Sequence, residues 1–130
     1  MKVVFDTNVY VSALTLPEGS AARAFDRIVT GEHELFLSKP ILDELLGVLA
    51  RKFARDREEL ARVALFLSEL ATIAHPKRRL SVLDDDADNR VLECALAGRI
   101  DVIVTGDKRM LKLGSYGDFR IITIREFLEF

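Results

Sequence analysis

Asp6, Glu44, Asp88 and Asp107 are the residues whose types and positions point to chemistry. Four converging carboxylates repel one another and call for cations. Oxygen donors with no histidine or cysteine among them suit hard ions such as Mg²⁺ or Mn²⁺. Divalent ions held this way suit hydrolysis of phosphodiesters, because they generate hydroxide and stabilise the attacking and leaving oxygens. Competing chemistries lack their parts. There is no Gly-x-Ser-x-Gly elbow and no Ser/His/Asp set, and the 7 glycines form no phosphate-binding loop. His33 and His75 lack metal-ligand spacing and read as surface or loop residues. Cys94 is the only cysteine, which excludes an internal disulfide and a Cys-based zinc site.

The elements that must position these acids follow from the chain pattern. Val3-Val4-Phe5 reads as a buried strand, Glu34–Leu37 as a second, Val102–Thr105 as a third and Arg120–Thr123 as the last. Helices are expected over Ser20–Val29 (Ala22, Phe25 and Ile28/Val29 inward), Ser38–Ala54, from Asp56 or Arg57 to about Leu70 (Leu60, Val63, Ala64, Phe66, Leu67 and Leu70 inward), Arg90–Ala97, Lys108–Leu113 and Ile124–Phe130. Ser38 is a good N-cap, with Pro40 in the first turn behind it. Gly98 is the expected stop of the Arg90–Ala97 helix. Strands alternating with helices imply an α/β domain with a central parallel sheet flanked by helices, read as one domain over residues 1–130.

Parallel sheets place their sites at the carboxyl ends of strands. Asp6 and Asp107 each directly follow a strand and so share that edge, whereas Asp101 precedes one and lies opposite. On the 38–54 helix, Ile41, Leu42, Leu45, Leu46, Val48, Leu49 and Phe53 fill one arc at about 100° per residue. Glu44 falls at its rim and Asp43 away from it. Asp88 shares a stripe with Val91, Leu92 and Ala95, and Asp85 is placed to cap the same turn. Asp84 and Asp86 have no clear inward direction.

With 130 residues and 49% hydrophobic content, the chain can bury a real core, which excludes disorder. Its 19 Lys+Arg against 21 Asp+Glu exclude a histone-like basic protein, although charge can still be local. Three basic groups stand out: Arg51, Lys52, Arg55 and Arg57; Lys77-Arg78-Arg79; and Lys108, Arg109 and Lys112. The last neighbours the acid edge, making Lys108 and Arg109 the candidates for substrate phosphate contact. Neither a signal peptide nor a membrane span is apparent, so a soluble cytoplasmic protein is expected.

Several segments together resemble the PIN-domain nucleases, specifically the VapC-like toxin components of toxin–antitoxin pairs. They are Val4-Phe5-Asp6-Thr7-Asn8-Val9, Leu37-Ser38 through Leu42-Asp43-Glu44-Leu45, Asp88-Asn89-Arg90-Val91-Leu92-Glu93-Cys94-Ala95-Leu96-Ala97, and Val104-Thr105-Gly106-Asp107. Ile122–Leu128 also looks like the family's ending. The resemblance implies an α/β/α sandwich and Mg²⁺- or Mn²⁺-dependent endoribonuclease activity, with one or two ions on Asp6, Glu44, Asp88 and Asp107. It carries a supporting Asn onto Asn8, thought to orient the first acid, and a polar helper onto Thr105. It also implies an RNA substrate, a separate antitoxin and a homodimer, the last in keeping with apolar residues along Leu60–Leu70 and Phe127–Phe130. One departure is visible: the usual Asp-Pro-Asp-Asp-Asn reads Asp85-Asp86-Ala87-Asp88-Asn89 here, which opens the question of whether Asp84, Asp85 or Asp86 joins the site.

Two rivals remain. A haloacid-dehalogenase-like phosphatase also begins with an Asp after its first strand, but it needs a second Asp where this chain has Asn8. A catalytically weak or inactive PIN-like module would bind RNA or protein without cutting it.

Overall fold

A computed structural model describes all residues, 1–130. In chain order the elements are β1 (Lys2–Phe5), α1 (Thr7–Thr15), α2 (Ser20–Val29), β2 (Glu34–Leu37), α3 (Lys39–Phe53), α4 (Arg57–Leu70), β3 (Thr72–Ile73), α5 (Asp86–Gly98), β4 (Val102–Val104), α6 (Lys108–Leu113), β5 (Ser115–Tyr116), β6 (Phe119–Ile122) and α7 (Ile124–Leu128). The sheet order is β3-β2-β1-β4-β6-β5. All pairings are parallel except β5 with β6, which run antiparallel. The expected parallel sheet flanked by helices is present. The two-residue strands β3 and β5 add to it, and both are too short to show a period in sequence.

The first two connections step from β1 outwards to β2 and β3, and the third returns across the sheet to β4. Right-handed crossovers therefore put α1 to α4 on one face and α5 and α6 on the other. This reversal lies between β1 and β4, where a crevice opens at the carboxyl edge. Val3–Phe5 of β1 and all of β4 are buried apolar segments, as a sheet covered on both faces requires. Phe5 anchors the first helical layer, packing edge-on against Tyr10 at 5.8 Å and Phe127 at 5.7 Å between ring centroids.

Local details depart from the sequence expectations. The inward stripe of α2 is Ala21, Ala24 and Ile28, while Val29 is exposed. On α4 only Leu67 is fully buried, and Phe66 is largely exposed despite packing on Phe25. Ser38 holds the N-cap position of α3 but makes no capping bond, and its Oγ is buried without a partner. Gly98 is not the left-handed stop of α5. That role falls to Arg99 at φ 51°, and Gly98 instead lets the helix approach β2, since a Cβ there would lie 2.8 Å from the Phe36 ring.

Candidate active site

Asp6 continues β1 by one residue. Its amide donates to the Val104 carbonyl at 3.0 Å, so the β1–β4 ladder itself carries Asp6 to the crevice. The carboxylate is buried and held at both oxygens: Oδ1 accepts from the Thr7 amide at 2.7 Å and Oδ2 from the Thr105 hydroxyl at 2.7 Å. Thr105 Oγ1 in turn accepts from the Asp107 amide at 3.0 Å. One hydroxyl thus couples the first and last acids. The expected role of Asn8 in orienting Asp6 is not met in this arrangement: Asn8 is exposed, and its side chain makes no hydrogen bond to Asp6.

Asp107 is half-buried and caps α6, accepting from the Arg109 amide at 2.8 Å and the Met110 amide at 3.4 Å. Capping and site membership therefore coexist in one residue. Asp88 lies in the first turn of α5 and is buried, while Asp43 is exposed and paired with Lys39 at 2.8 Å. Glu44 is half-buried on the neighbouring face of α3. Arg51 folds back along that helix over Gly47, where a Cβ would meet its Nη1 at 2.9 Å. Its positive charge opposes the upward push on Glu44.

The electrostatics show which acids the fold brings together. Burial raises the Asp6 carboxyl above its usual range, its two hydrogen bonds oppose the rise, and Asp107 and Asp85 add to it. Burial also raises Glu44, helped by Asp6 and Asp85. Asp88 is pushed up to about 7, first by burial, then by Asp6, Asp85 and Asp107, against Arg109. Asp6 thus acts on Glu44 and Asp88, and Asp107 acts on Asp6 and Asp88, which links the four predicted acids through the crevice. Asp85, the N-cap of α5, is a fifth member of this field. Its spacing of three residues from Asp88 is the sequence signal for that. Asp84 and Asp86 are exposed, and neither is among the causes of these shifts.

The helices α1, α3, α5 and α6 all begin at this edge. Their positive N-terminal dipoles soften the repulsion without cancelling it. Of the predicted phosphate contacts, Lys108 is exposed, and Arg109 reaches between Asp107 at 3.7 Å and Asp85 at 4.0 Å. The donor chemistry fits Mg²⁺ or Mn²⁺. As the side chains stand, however, no three His, Cys, Asp or Glu residues are set to ligate one ion.

Two residues beside the acids act as structural anchors whose local role the sequence did not reveal. Asn89 is fully buried; its Oδ1 accepts from the Val82 and Leu83 amides at 3.0 and 2.8 Å, and its Nδ2 donates to the Leu83 carbonyl at 2.8 Å. Glu93 accepts from the Leu80 amide at 2.7 Å and pairs with Arg90 at 2.9 Å. Together they fasten residues 80–83 to α5.

Residues 2–109 match the PIN domain family profile. The chain belongs to the PIN-domain family. Members of that family are typically nucleases. The sequence is also 28% identical over 141 residues to the uncharacterized protein MJ1680 of Methanocaldococcus jannaschii, covering 99% of this chain and 90% of that protein. In fold, this PIN domain is similar to a chain of VapBC2 from Rickettsia felis, whose crystal structure is bound to a promoter DNA fragment. That match has a TM-score of 0.67 and 15% identity, covering 95% of this chain and 98% of the other. It is likewise similar to a chain of VapBC-1 from nontypeable Haemophilus influenzae, with a TM-score of 0.68 and 14% identity over 96% and 99% of the two chains. No helix of this PIN domain is long and apolar enough to cross a membrane.

Proposed function

We propose that this PIN domain is a Mg²⁺- or Mn²⁺-dependent endoribonuclease and the toxin of a type II toxin–antitoxin pair. The observation that carries the reading is the acidic field at the sheet's switch point, where Asp6 acts on Glu44 and Asp88, Asp107 acts on Asp6 and Asp88, and one bridging arginine leaves the charge uncompensated. Asp6, Asp88 and Asp107 are the residues that would hold one or two ions, with Glu44 completing the set; the ions would supply a hydroxide nucleophile and charge stabilisation at the scissile phosphate. Thr105 fixes the Asp6 carboxylate through Oδ2 and ties it to the Asp107 backbone. A bound cation would lower the proton affinity of Asp88 by offsetting the neighbouring negative charges that add to the larger effect of its burial. Lys108 and Arg109 face phosphate oxygens at the rim. A separate antitoxin and a second copy of the chain are the proposed partners. The exposed Leu65 and Phe66 on α4 provide apolar surface for such association.

The unclosed arrangement of the acids favours one second reading, a binding module that grips RNA without cutting it. A Mn²⁺ titration with labelled RNA and single-stranded DNA panels separates the two. The nuclease reading expects Mn²⁺-dependent RNA cleavage that EDTA and Asp6→Asn abolish. Cleavage indifferent to both, in folded protein, would overturn it.

A further inference from the structure

The basic run Lys77-Arg78-Arg79 lies outside the acid crevice, on the segment between β3 and α5. All three residues are exposed. So is Arg99, just past the end of α5, and none of the four has a carboxylate within 4.0 Å. Arg55, Arg62 and Arg109 elsewhere, and Arg90 on the wall of the groove itself, are each paired with an acid. These unpaired charges border two adjoining concavities of about 600 and 370 Å³, which share His75, Lys77, Arg78 and Glu93. Glu93 is the one acid on their walls, and it is already neutralised by Arg90. The wall is also ordered in advance, because Leu80 is bound to Glu93 through its amide and to Arg90 through its carbonyl.

The groove follows α5 away from the helix's first turn, where Asp88 sits. Asp88 and Arg99 are eleven residues apart on that axis, about 16 Å, or about five nucleotides at 3.4 Å per nucleotide of stacked strand. Its α5 side also presents Leu96 and Ala97, and the imidazole of His75 is the one ring on its walls.

We propose that this groove is a second, sequence-independent subsite that grips backbone phosphates of a single-stranded RNA extending from the acid crevice. The proposal rests on the nuclease reading for its substrate. Unpaired cations over a concave, immobilised wall favour a flexible polyanion with evenly spaced charges. With four unpaired cations against the single ring of His75, the grip is assigned to phosphates rather than to a run of stacked bases.

The test uses the full chain with Lys77→Ser/Arg78→Ser/Arg79→Ser and a charge-matched control, Arg23→Ser/Arg57→Ser/Arg125→Ser, at three exposed sites elsewhere. Binding of an unstructured fluorescent RNA of about 15 nucleotides is followed over a salt series without metal. Loss of three contacts makes the slope of log K against log[salt] shallower by about 2, and weakens binding about tenfold at low salt in the groove variant alone. An equal loss in the control would assign the effect to net charge and overturn the proposal, as would an unchanged slope in the groove variant. A polyglutamate peptide competing as well as RNA for the same residues would overturn it in favour of an acidic protein segment. Asp6→Asn distinguishes this proposal from the nuclease reading: it should retain the salt slope while losing cleavage. If the unaltered protein fails to cleave RNA with Mn²⁺ but loses slope on groove substitution, the groove stands and the nuclease reading falls.

Discussion

The two ends of strand β4 carry an aspartate each, and the two have opposite fates. Asp101, at the amino end, is met by donors. Its Oδ2 accepts from the Lys2 amide at 2.9 Å, its own amide donates to the Lys2 carbonyl at 2.8 Å, and its carbonyl accepts from the Arg120 amide at 3.1 Å. It stitches β1, β4 and β6 together. Nearby, the terminal amine of Met1 meets His33 Nδ1 at 3.0 Å, and burial together with that amine lowers the proton affinity of His33. Asp107, at the carboxyl end, faces Asp6 and Asp88 and contributes to the rise of both. Asp101 is met by backbone donors and builds the fold, whereas Asp107, although it caps α6, also lies in a field of other acids, and that residual charge is what the proposed cation would offset.

Substitutions at the two ends should separate most sharply in activity. Asp6→Asn or Asp88→Asn is expected to lower Mn²⁺-dependent RNA cleavage by about 100-fold or more, since each removes a proposed metal ligand. Initial rates on folded protein check this, and residual activity near the unaltered level would dissolve the contrast.

The next effect is on stability. Asp88 has a folded pKa of about 7 against an ordinary value of 3.8, so the folded state binds its proton more tightly than the unfolded state does. The metal-free fold therefore pays no penalty from this group below about pH 4, loses stability as pH rises towards 7, and carries the full penalty above it. Asp88→Asn should stabilise metal-free protein by about 1–3 kcal/mol at pH 8 and by little at pH 4. Denaturant melts at the two pH values would refute the repulsion account if the gain were equal at both.

Millimolar Mn²⁺ should stabilise the unaltered protein by a comparable 1–3 kcal/mol, roughly, through preferential binding to the native state. That shift should vanish in Asp88→Asn, and a thermal shift of the same size in both proteins would locate the ion elsewhere. Thr105→Val, which removes the hydroxyl between Asp6 and Asp107, should cost about 1–2 kcal/mol in stability and reduce cleavage several-fold, while Thr105→Ser keeps both. The smallest expected change is at the amino end: Asp101→Asn should cost about 1 kcal/mol or less and leave cleavage unaltered. A large activity loss there would erase the distinction between the two ends.

Much of this was legible beforehand, for identifiable reasons. The four longer strands and the helices from Ser20 onwards carry apolar runs or stripes that local periodicity reveals. Asp6 and Asp107 could be assigned to one edge because each directly follows a strand, and Asp88 because it shares the buried stripe of α5. β3 and β5 escaped because a two-residue strand has no period; they exist only through pairing with β2 and β6. Asn8 and Thr105 show the limit of reading neighbours in sequence. Asn8 is two residues from Asp6 yet is exposed and makes no hydrogen bond to it, while Thr105, 99 positions distant, supplies the bond at 2.7 Å.

The basic groups illustrate the same divide. In sequence, Lys108 and Arg109 stood out by their closeness to Asp107. In three dimensions Arg109 is engaged by Asp85 and Asp107, and Lys77-Arg78-Arg79 remain unpaired along a groove. Pairing is a property of distances between side chains, and charge runs do not encode it.

What the sequence determined by itself was the alternation of strands and helices and the edge on which each acid falls. Both depend on local pattern and on the fixed geometry of parallel crossovers. Only the tertiary structure decided which hydroxyl holds Asp6, that Asp85 joins the acidic field, and which cations stay free. Those outcomes depend on residues far apart in the chain meeting across a sheet edge, where burial and unscreened charge set their chemistry.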